Sequence, residues 1–281
     1  MPNFSGVWNL KEQIQAIAAG RWQLPPPKFE LYTWGRNIFG ALGDNTTVNK
    51  PSPVKIGALT NWAQAAAGQL FTAAIKTDGT LWTWGYKSSG ALGQGALVNQ
   101  SSPVQVGALT NWDKISTKNY HCGAIKTDGT LWSWGRNNVG QLGDGTTDNK
   151  SSPIQVGALT TWSQISAGEN FSAAVKTDNT LWIWGTNNTG QLGIGTGYGT
   201  NESSPVQVGA LTTWAQVSLS NQQHSLAIKT DGTLWGWGEN GFGEVGDGTA
   251  TDRSSPVQVG VLTNWSQVAA GGFNNVAITE S

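Results

Sequence analysis

This chain contains a single cysteine, Cys122, so no disulfide framework can form within it, and cysteine usage leaves its compartment undecided. Histidine is nearly as scarce, with only His121 and His224. Charged residues make up 12% of the chain and the net charge is −1, which gives no basis for electrostatic capture of nucleic acid or of an anionic membrane. Apolar runs are short, and none approaches the roughly 18–20 residues needed to cross a bilayer. The opening MPNFSGVWNLKEQ lacks the basic and apolar regions of a signal peptide. These absences lead us to expect a soluble product made in the cytoplasm.

Glycine and tryptophan are abundant instead, at 38 and 16 residues. That is a β composition with many tight turns. The stretch Leu81–Gly85, LWTWG, recurs as Leu131–Gly135, Leu181–Gly185 and Leu234–Gly238, with a worn first copy, LYTWG, at Leu31–Gly35. Its second tryptophans are Trp34, Trp84, Trp134, Trp184 and Trp237, spaced by 50, 50, 50 and 53 residues. A fixed period of this size marks a repeat architecture.

Within each unit, short β-type runs are bounded by Gly, Pro, Asn and Asp, as at Val104–Val106, Asp113–Ser116, Cys122–Lys126 and Thr130–Trp134. Asp78-Gly79, Asp128-Gly129 and Asp231-Gly232 read as two-residue hairpin turns, and Asp178-Asn179 keeps the turn with Asn. Four short antiparallel strands per ~50 residues is the plan of a propeller blade. Trp82 and Trp84 share one strand face. Trp62, Trp112, Trp162, Trp214 and Trp265 form a second family, one per unit. Repetition in every unit assigns these rings to core packing rather than to a ligand cage.

The last unit stops at Asn275–Thr279, where other copies continue into LWxWG, and the first begins at Leu31–Gly35. The expected fold is therefore all-β: one propeller of five four-stranded blades over residues 30–281, closed by its N- and C-terminal strands. Residues 1–29 stand apart as an arm. Asn9 and Glu12 form a capping box, and Leu10, Ile14 and Ile17 share a helical face ended by Gly20. This predicts a short helix over about 10–19, followed by a proline-rich spacer at 24–28. Trp8, Leu10, Ile14, Ile17 and Trp22 are its expected anchoring residues.

The run AAIKTDGTLWTWG, with N-x-x-G-Q-L-G-D-G-T and SSPVQV, resembles the regulator-of-chromosome-condensation repeat, a β-propeller family, over about residues 30–279. That resemblance implies a propeller, and members usually carry seven blades where this sequence offers five. It does not carry nucleotide exchange or chromatin binding to this chain, which lacks a basic tail and a dedicated exchange insertion. Other members act as protein-binding discs, and fold does not choose among these roles. The opening FSGVWNLKEQIQAIAAGRW resembles the N-terminal segment of virion structural proteins of tailed bacteriophages.

Little in the sequence points to catalysis. His121 and His224 stand where Phe71, Phe171 and Asn274 stand in other units, which suits packing or rim residues. Cys122 neighbours His121 in a strand, so the two side chains face opposite ways and do not make a nucleophile pair. Asp44, Asp144 and Asp247 belong to recurrent turns, as do the hairpin aspartates. A calcium site drawn from Asp144, Thr146 and Asp148 is disfavoured, because Gln94 and Ile194 take its first position in other units. No Walker, Rossmann or zinc spacing occurs. We expect no catalytic residue, cofactor or metal.

The informative positions vary while their surroundings do not, and loops on a rigid scaffold are where binding surfaces form. The binding candidates are Phe39, Phe71, Tyr86, Lys87, Tyr120, His121, Phe171, Tyr198, His224, Phe242 and Phe273. The expected function is a non-enzymatic structural or adhesive component of a phage particle, located in the virion. Its partners would be virion proteins held through residues 1–29, and a host-surface protein or glycan. The alternative is a free protein-binding propeller, an adaptor or inhibitor acting through its variable loops.

Overall fold

The computed structural model describes residues 29–95 and 98–281. Of the expected arm only Phe29 is described, bridged to Asn61; its helix, its spacer and Trp8, Leu10, Ile14, Ile17 and Trp22 lie outside the described residues.

Among the described residues, twenty strands follow one another in chain order. β1 (Tyr32–Gly35) and β2 (Lys50–Lys55) form a two-stranded sheet. Four complete blades come next. The first holds β3 (Trp62–Ala67), β4 (Phe71–Lys76), β5 (Leu81–Gly85) and β6 (Gln100–Gln105). The second holds β7 (Trp112–Lys118), β8 (His121–Lys126), β9 (Leu131–Gly135) and β10 (Lys150–Gln155). The third holds β11 (Trp162–Ala167), β12 (Phe171–Lys176), β13 (Leu181–Gly185) and β14 (Glu202–Gln207). The fourth holds β15 (Trp214–Leu219), β16 (His224–Lys229), β17 (Leu234–Gly238) and β18 (Arg253–Gln258). A second two-stranded sheet, β19 (Trp265–Ala270) with β20 (Asn275–Thr279), ends the arc.

All neighbours within a blade are antiparallel, so each blade is a meander that short hairpins can join. The second strand of every complete blade is buried along its whole length, which explains its run of small and β-branched residues. The fourth strand carries the prolines Pro53, Pro103, Pro153, Pro205 and Pro256, tolerated there because an outer edge need not donate to a further ladder.

Each blade closes on a tryptophan cluster. Trp112 meets Trp132 at 6.0 Å and Trp134 at 6.1 Å, both edge-on, the arrangement that ring quadrupoles favour. The Lys126 ammonium lies 3.5 Å from the Trp132 ring centre and 4.9 Å from that of Trp112. Trp132 Nε1 donates to Thr130 Oγ1, which itself donates to the Asp128 carboxylate in the hairpin turn. The second LWxWG tryptophan reaches the neighbouring blade: Trp134 donates to the Ala91 carbonyl, Trp184 to that of Gln141, and Trp237 to that of Gln191. Near the inner edge, Gln64 Oε1 accepts from the Ile115 N–H, and Gln164 and Gln216 repeat that bond to Val217 and Val268.

The expectation of a closed ring needs correction. β1 and β20 belong to separate two-stranded sheets and do not pair. Trp34 is 61% exposed, whereas its counterparts Trp84, Trp134 and Trp237 are 0% exposed. The same contacts recur from joint to joint between blades, and the rotation at each joint sets the curvature of such a repeat array. Among the described residues, four whole blades and a half-blade at each end leave the terminal strands β1 and β20 unpaired with one another, as an open arc.

Candidate binding face

The two ends of each blade differ in how much they vary. At one end lie the Asp-Gly hairpins between second and third strands, where the turn chemistry repeats: Asp78, Asp128, Asp178 and Asp231 each accept from the N–H and the hydroxyl of a threonine two residues on. At the other end, the loop between first and second strands meets the segment leaving the third. Tyr86 N donates to Leu70 O, Arg136 N to Tyr120 O, Thr186 N to Asn170 O, and Glu239 N to Gln223 O. The long loop after Ile194 folds back to the same end, with Gly199 N bonded to Asn187 O at 2.8 Å. All three variable loop sets therefore share one face.

Among the described residues, four of the five loops after a third strand are built on a buried asparagine, and Lys87 takes that place in the loop after β5. Asn137 Nδ2 donates to the Asp144 carboxylate and to the Thr146 and Asp148 carbonyls, while its Oδ1 accepts from Leu142 N. Asn37 and Asn240 repeat the arrangement with Asp44 and Asp247. The aspartates also pair with Lys50, Lys150 and Arg253. Burial raises the pKa of these three carboxyls, but their hydrogen bonds outweigh it and the net direction is down. They are spent on holding loops in shape. Among the described residues, no group of three or more His, Cys, Asp and Glu side chains is gathered to hold a metal.

The candidates divide by burial. Phe71, His121, Phe171 and His224 are buried at the starts of their strands and are not surface contacts; this corrects their place in the binding set. His121 Nε2 lies 2.9 Å from Ser172 Oγ, and His224 Nε2 lies 2.8 Å from Asn275 Oδ1. Both bonds cross to the next blade, so the imidazoles replace phenylalanine packing with a polar link. Burial, reinforced by Arg136, lowers the His121 pKa to about 4 and leaves the ring neutral near pH 7. Cys122 turns elsewhere, its Sγ 3.6 Å from the Ala91 carbonyl, and burial pushes its thiol up.

The remaining candidates stay on the face. Phe39 and Tyr86 stack with ring centres 4.3 Å apart across two blades, and Lys87 follows, half-buried. Phe242 and Phe273 meet edge-on at 5.6 Å, and they are 81% and 59% exposed. Tyr120 is half-buried, while Tyr198 is exposed and donates to the Asp252 carbonyl.

The structure adds a pocket that was not singled out from the sequence. A cavity of about 340 Å³ opens among loops of four blades, lined by Gln69, Lys118, Asn119, Glu169, Asn221 and Gln222. Burial lowers the Lys118 pKa and raises that of Glu169, the latter opposed by Arg136. The signal was present in the repeat, since Lys118 stands where Gly68, Gly168 and Gly271 stand in other units. The face thus offers exposed aromatic rings and a polar cavity, an arrangement suited to contact.

Residues 5–277 match the model of the family described as RCC1-like domain. Among curated proteins, the ultraviolet-B receptor UVR8 of Arabidopsis thaliana is 43% identical over 60 residues, which is 21% of this chain and 14% of that receptor. Among solved structures, Prp20p of Saccharomyces cerevisiae, reported with its binding to Gsp1p and histones, superposes with a TM-score of 0.79 at 22% identity. The match covers 90% of this chain and 65% of that one. Human WBSCR16 superposes with a TM-score of 0.78 at 22% identity, covering 89% of this chain and 67% of its own. At such identities the likeness is one of fold. This chain spans about two thirds of those propellers and a far smaller share of the receptor.

Proposed function

The chain belongs to the RCC1-like domain family, and on that premise we propose that it is a non-enzymatic, protein-binding propeller whose loop face is the contact surface. The observation that carries this reading is the exposed Phe242–Phe273 pair, held by loops of adjacent blades on the variable face. Aromatic rings bury large areas at small entropic cost, and exposed clusters of them mark interaction sites. Family relatives support the class of activity, since Prp20p is reported to bind other proteins. Fold alone does not transfer those partners.

A virion setting, with residues 1–29 as the tether and a host-surface protein or glycan as the target, is a separate proposal. It rests on the resemblance of the opening residues.

The experiment is affinity capture with cross-linking from phage-bearing source material. The full chain, a chain lacking residues 1–28, and a Phe242→Ala/Phe273→Ala double variant are compared side by side. Loss of one defined partner in the double variant, at unchanged melting temperature, supports the loop face. Unchanged capture by that variant overturns it. A partner lost only with residues 1–28 assigns the contact to the tether.

A further inference from the structure

The half-blades at the two ends of the arc are complementary halves of one blade. In the first complete blade the second strand faces the third in a fixed register, with Thr72 opposite Trp84, Ala73 opposite Thr83, Ala74 opposite Trp82 and Ile75 opposite Leu81. The other three complete blades repeat it. Among the described residues, β20 is a second strand without a third, and β1 is a third strand without a second. The shared pattern sets Asn275, Val276, Ala277 and Ile278 opposite Trp34, Thr33, Tyr32 and Leu31.

Hydrogen bonds show the same complementarity. The Gln141 carbonyl accepts from Ser172 Oγ and from the Trp184 indole, and the Gln191 carbonyl accepts from Ser225 Oγ and from Trp237. The equivalent Glu244 carbonyl accepts from Asn275 Nδ2, but no tryptophan donates to it among the described residues. The tryptophan of that type in β1 is Trp34, which lies exposed at the far end of the arc. One end carries the acceptor and the other carries the donor.

Edge chemistry separates these two strands from the outer strands of the blades. The outer strand of each blade is blunted by proline, a common guard against edge-to-edge pairing. β1 and β20 read YTWG and NVAIT, with neither proline nor charge, and Val276 and Ile278 are 63% and 54% exposed.

We propose that β20 of one copy of this chain pairs with β1 of a second copy, so that β19 and β20 of the first and β1 and β2 of the second compose one four-stranded blade. Trp265 then takes the place beside Tyr32 and Trp34 of the second copy that Trp62 takes beside Trp82 and Trp84. The contact is head-to-tail, so each added copy presents a fresh edge, and association continues into a closed ring of arcs or an open helical filament.

The test is the mass of the full chain by analytical ultracentrifugation over a wide concentration range, with two edge variants. Trp34→Asp blocks β1, and Val276→Asp/Ile278→Asp blocks β20. Because these side chains are exposed in the single chain, the variants should keep the wild-type circular dichroism. The expected result is concentration-dependent multimers of the full chain and monomers for each variant alone. An equimolar mixture of the two variants should form a 1:1 dimer and nothing larger, because it retains one open β1 and one open β20. A full chain that stays monomeric overturns the proposal. So do variants that still form multimers, or a mixture that stays monomeric.

Discussion

The indole N–H of Trp184 donates to the main-chain carbonyl of Gln141, 2.9 Å away and 43 positions earlier in the chain. Gly143, two residues beyond that carbonyl, lies flat against the same indole with φ at +78°. The motifs GQLG and LWxWG, separate in sequence, are thus two sides of one joint between blades.

A methyl group at Gly143 would sit 2.7 Å from Trp184 Nε1, so Gly143→Ala should destabilise the fold by about 2–4 kcal/mol through overpacking and backbone strain. Gly157, with φ at +62° and open space around it, is the control, and Gly157→Ala should cost only about 1 kcal/mol. Urea denaturation followed by tryptophan fluorescence measures both. Equal losses would show that the joint does not depend on this close approach.

Asn137 is completely buried and ties together the loop from Asp144 to Asp148. Asn137→Ala leaves the Leu142 N–H and several loop oxygens without a partner. It should lower stability by about 3 kcal/mol, on the scale of unsatisfied buried groups. Thermal melting checks the loss, and hydrogen exchange should place the loosening in residues 136–149.

Lys126 lies over Trp132 and beside Trp112. Lys126→Met keeps most of the aliphatic bulk but removes the charge, and it should cost about 1 kcal/mol. Lys126→Ala removes both and should cost about 2 kcal/mol. Chemical denaturation separates the two variants. Equal effects would assign the interaction to the charge alone, and a Met variant as stable as the wild type would assign it to packing.

Acid stability follows from Asp247. Burial raises its pKa, but the Thr249 bonds and the Arg253 guanidinium outweigh this and hold it down to about 2. The folded value lies below that of the unfolded chain, close to 4. The stabilisation is therefore complete above about pH 4 and is lost as pH falls toward 2. Asp247→Asn should be less stable at pH 7 and should flatten the stability profile within that window, as read by urea midpoints at each pH. An unchanged slope would remove Asp247 from the acid response.

Phe242 and Phe273 carry no comparable burden in the fold. Because Phe242 is the more exposed, Phe242→Ala should change stability by less than about 0.5 kcal/mol while weakening partner capture. A large loss of melting temperature would assign the pair to packing instead.

Much of this was legible in the residues. The LWxWG period, the Asp-Gly hairpins and the two tryptophan families defined an all-β propeller, because strand alternation and turn chemistry are local and recur in every unit. The binding set was legible only in part. Phe242, Phe273, Tyr198 and Tyr86 lie on the face, but Phe71, His121, Phe171 and His224 are one or two residues further on, inside the sheets. A loop and the first residue of the following strand look alike in a sequence. Lys118, at the end of β7, carried one legible mark, its departure from the glycine of other units.

By itself the sequence determined what each blade is: period, strand order, turn type and the residues of its core follow from alternation, positive-φ preferences and the need to bury indoles. Tertiary structure decided how the blades add up. The angle between neighbours comes from contacts between residues about 30–50 positions apart, such as Trp184 on Gln141 and His121 on Ser172. Matching strands at the two ends, β1 and β20, are left apart by how those joints add up, and no pattern within a single repeat encodes that sum.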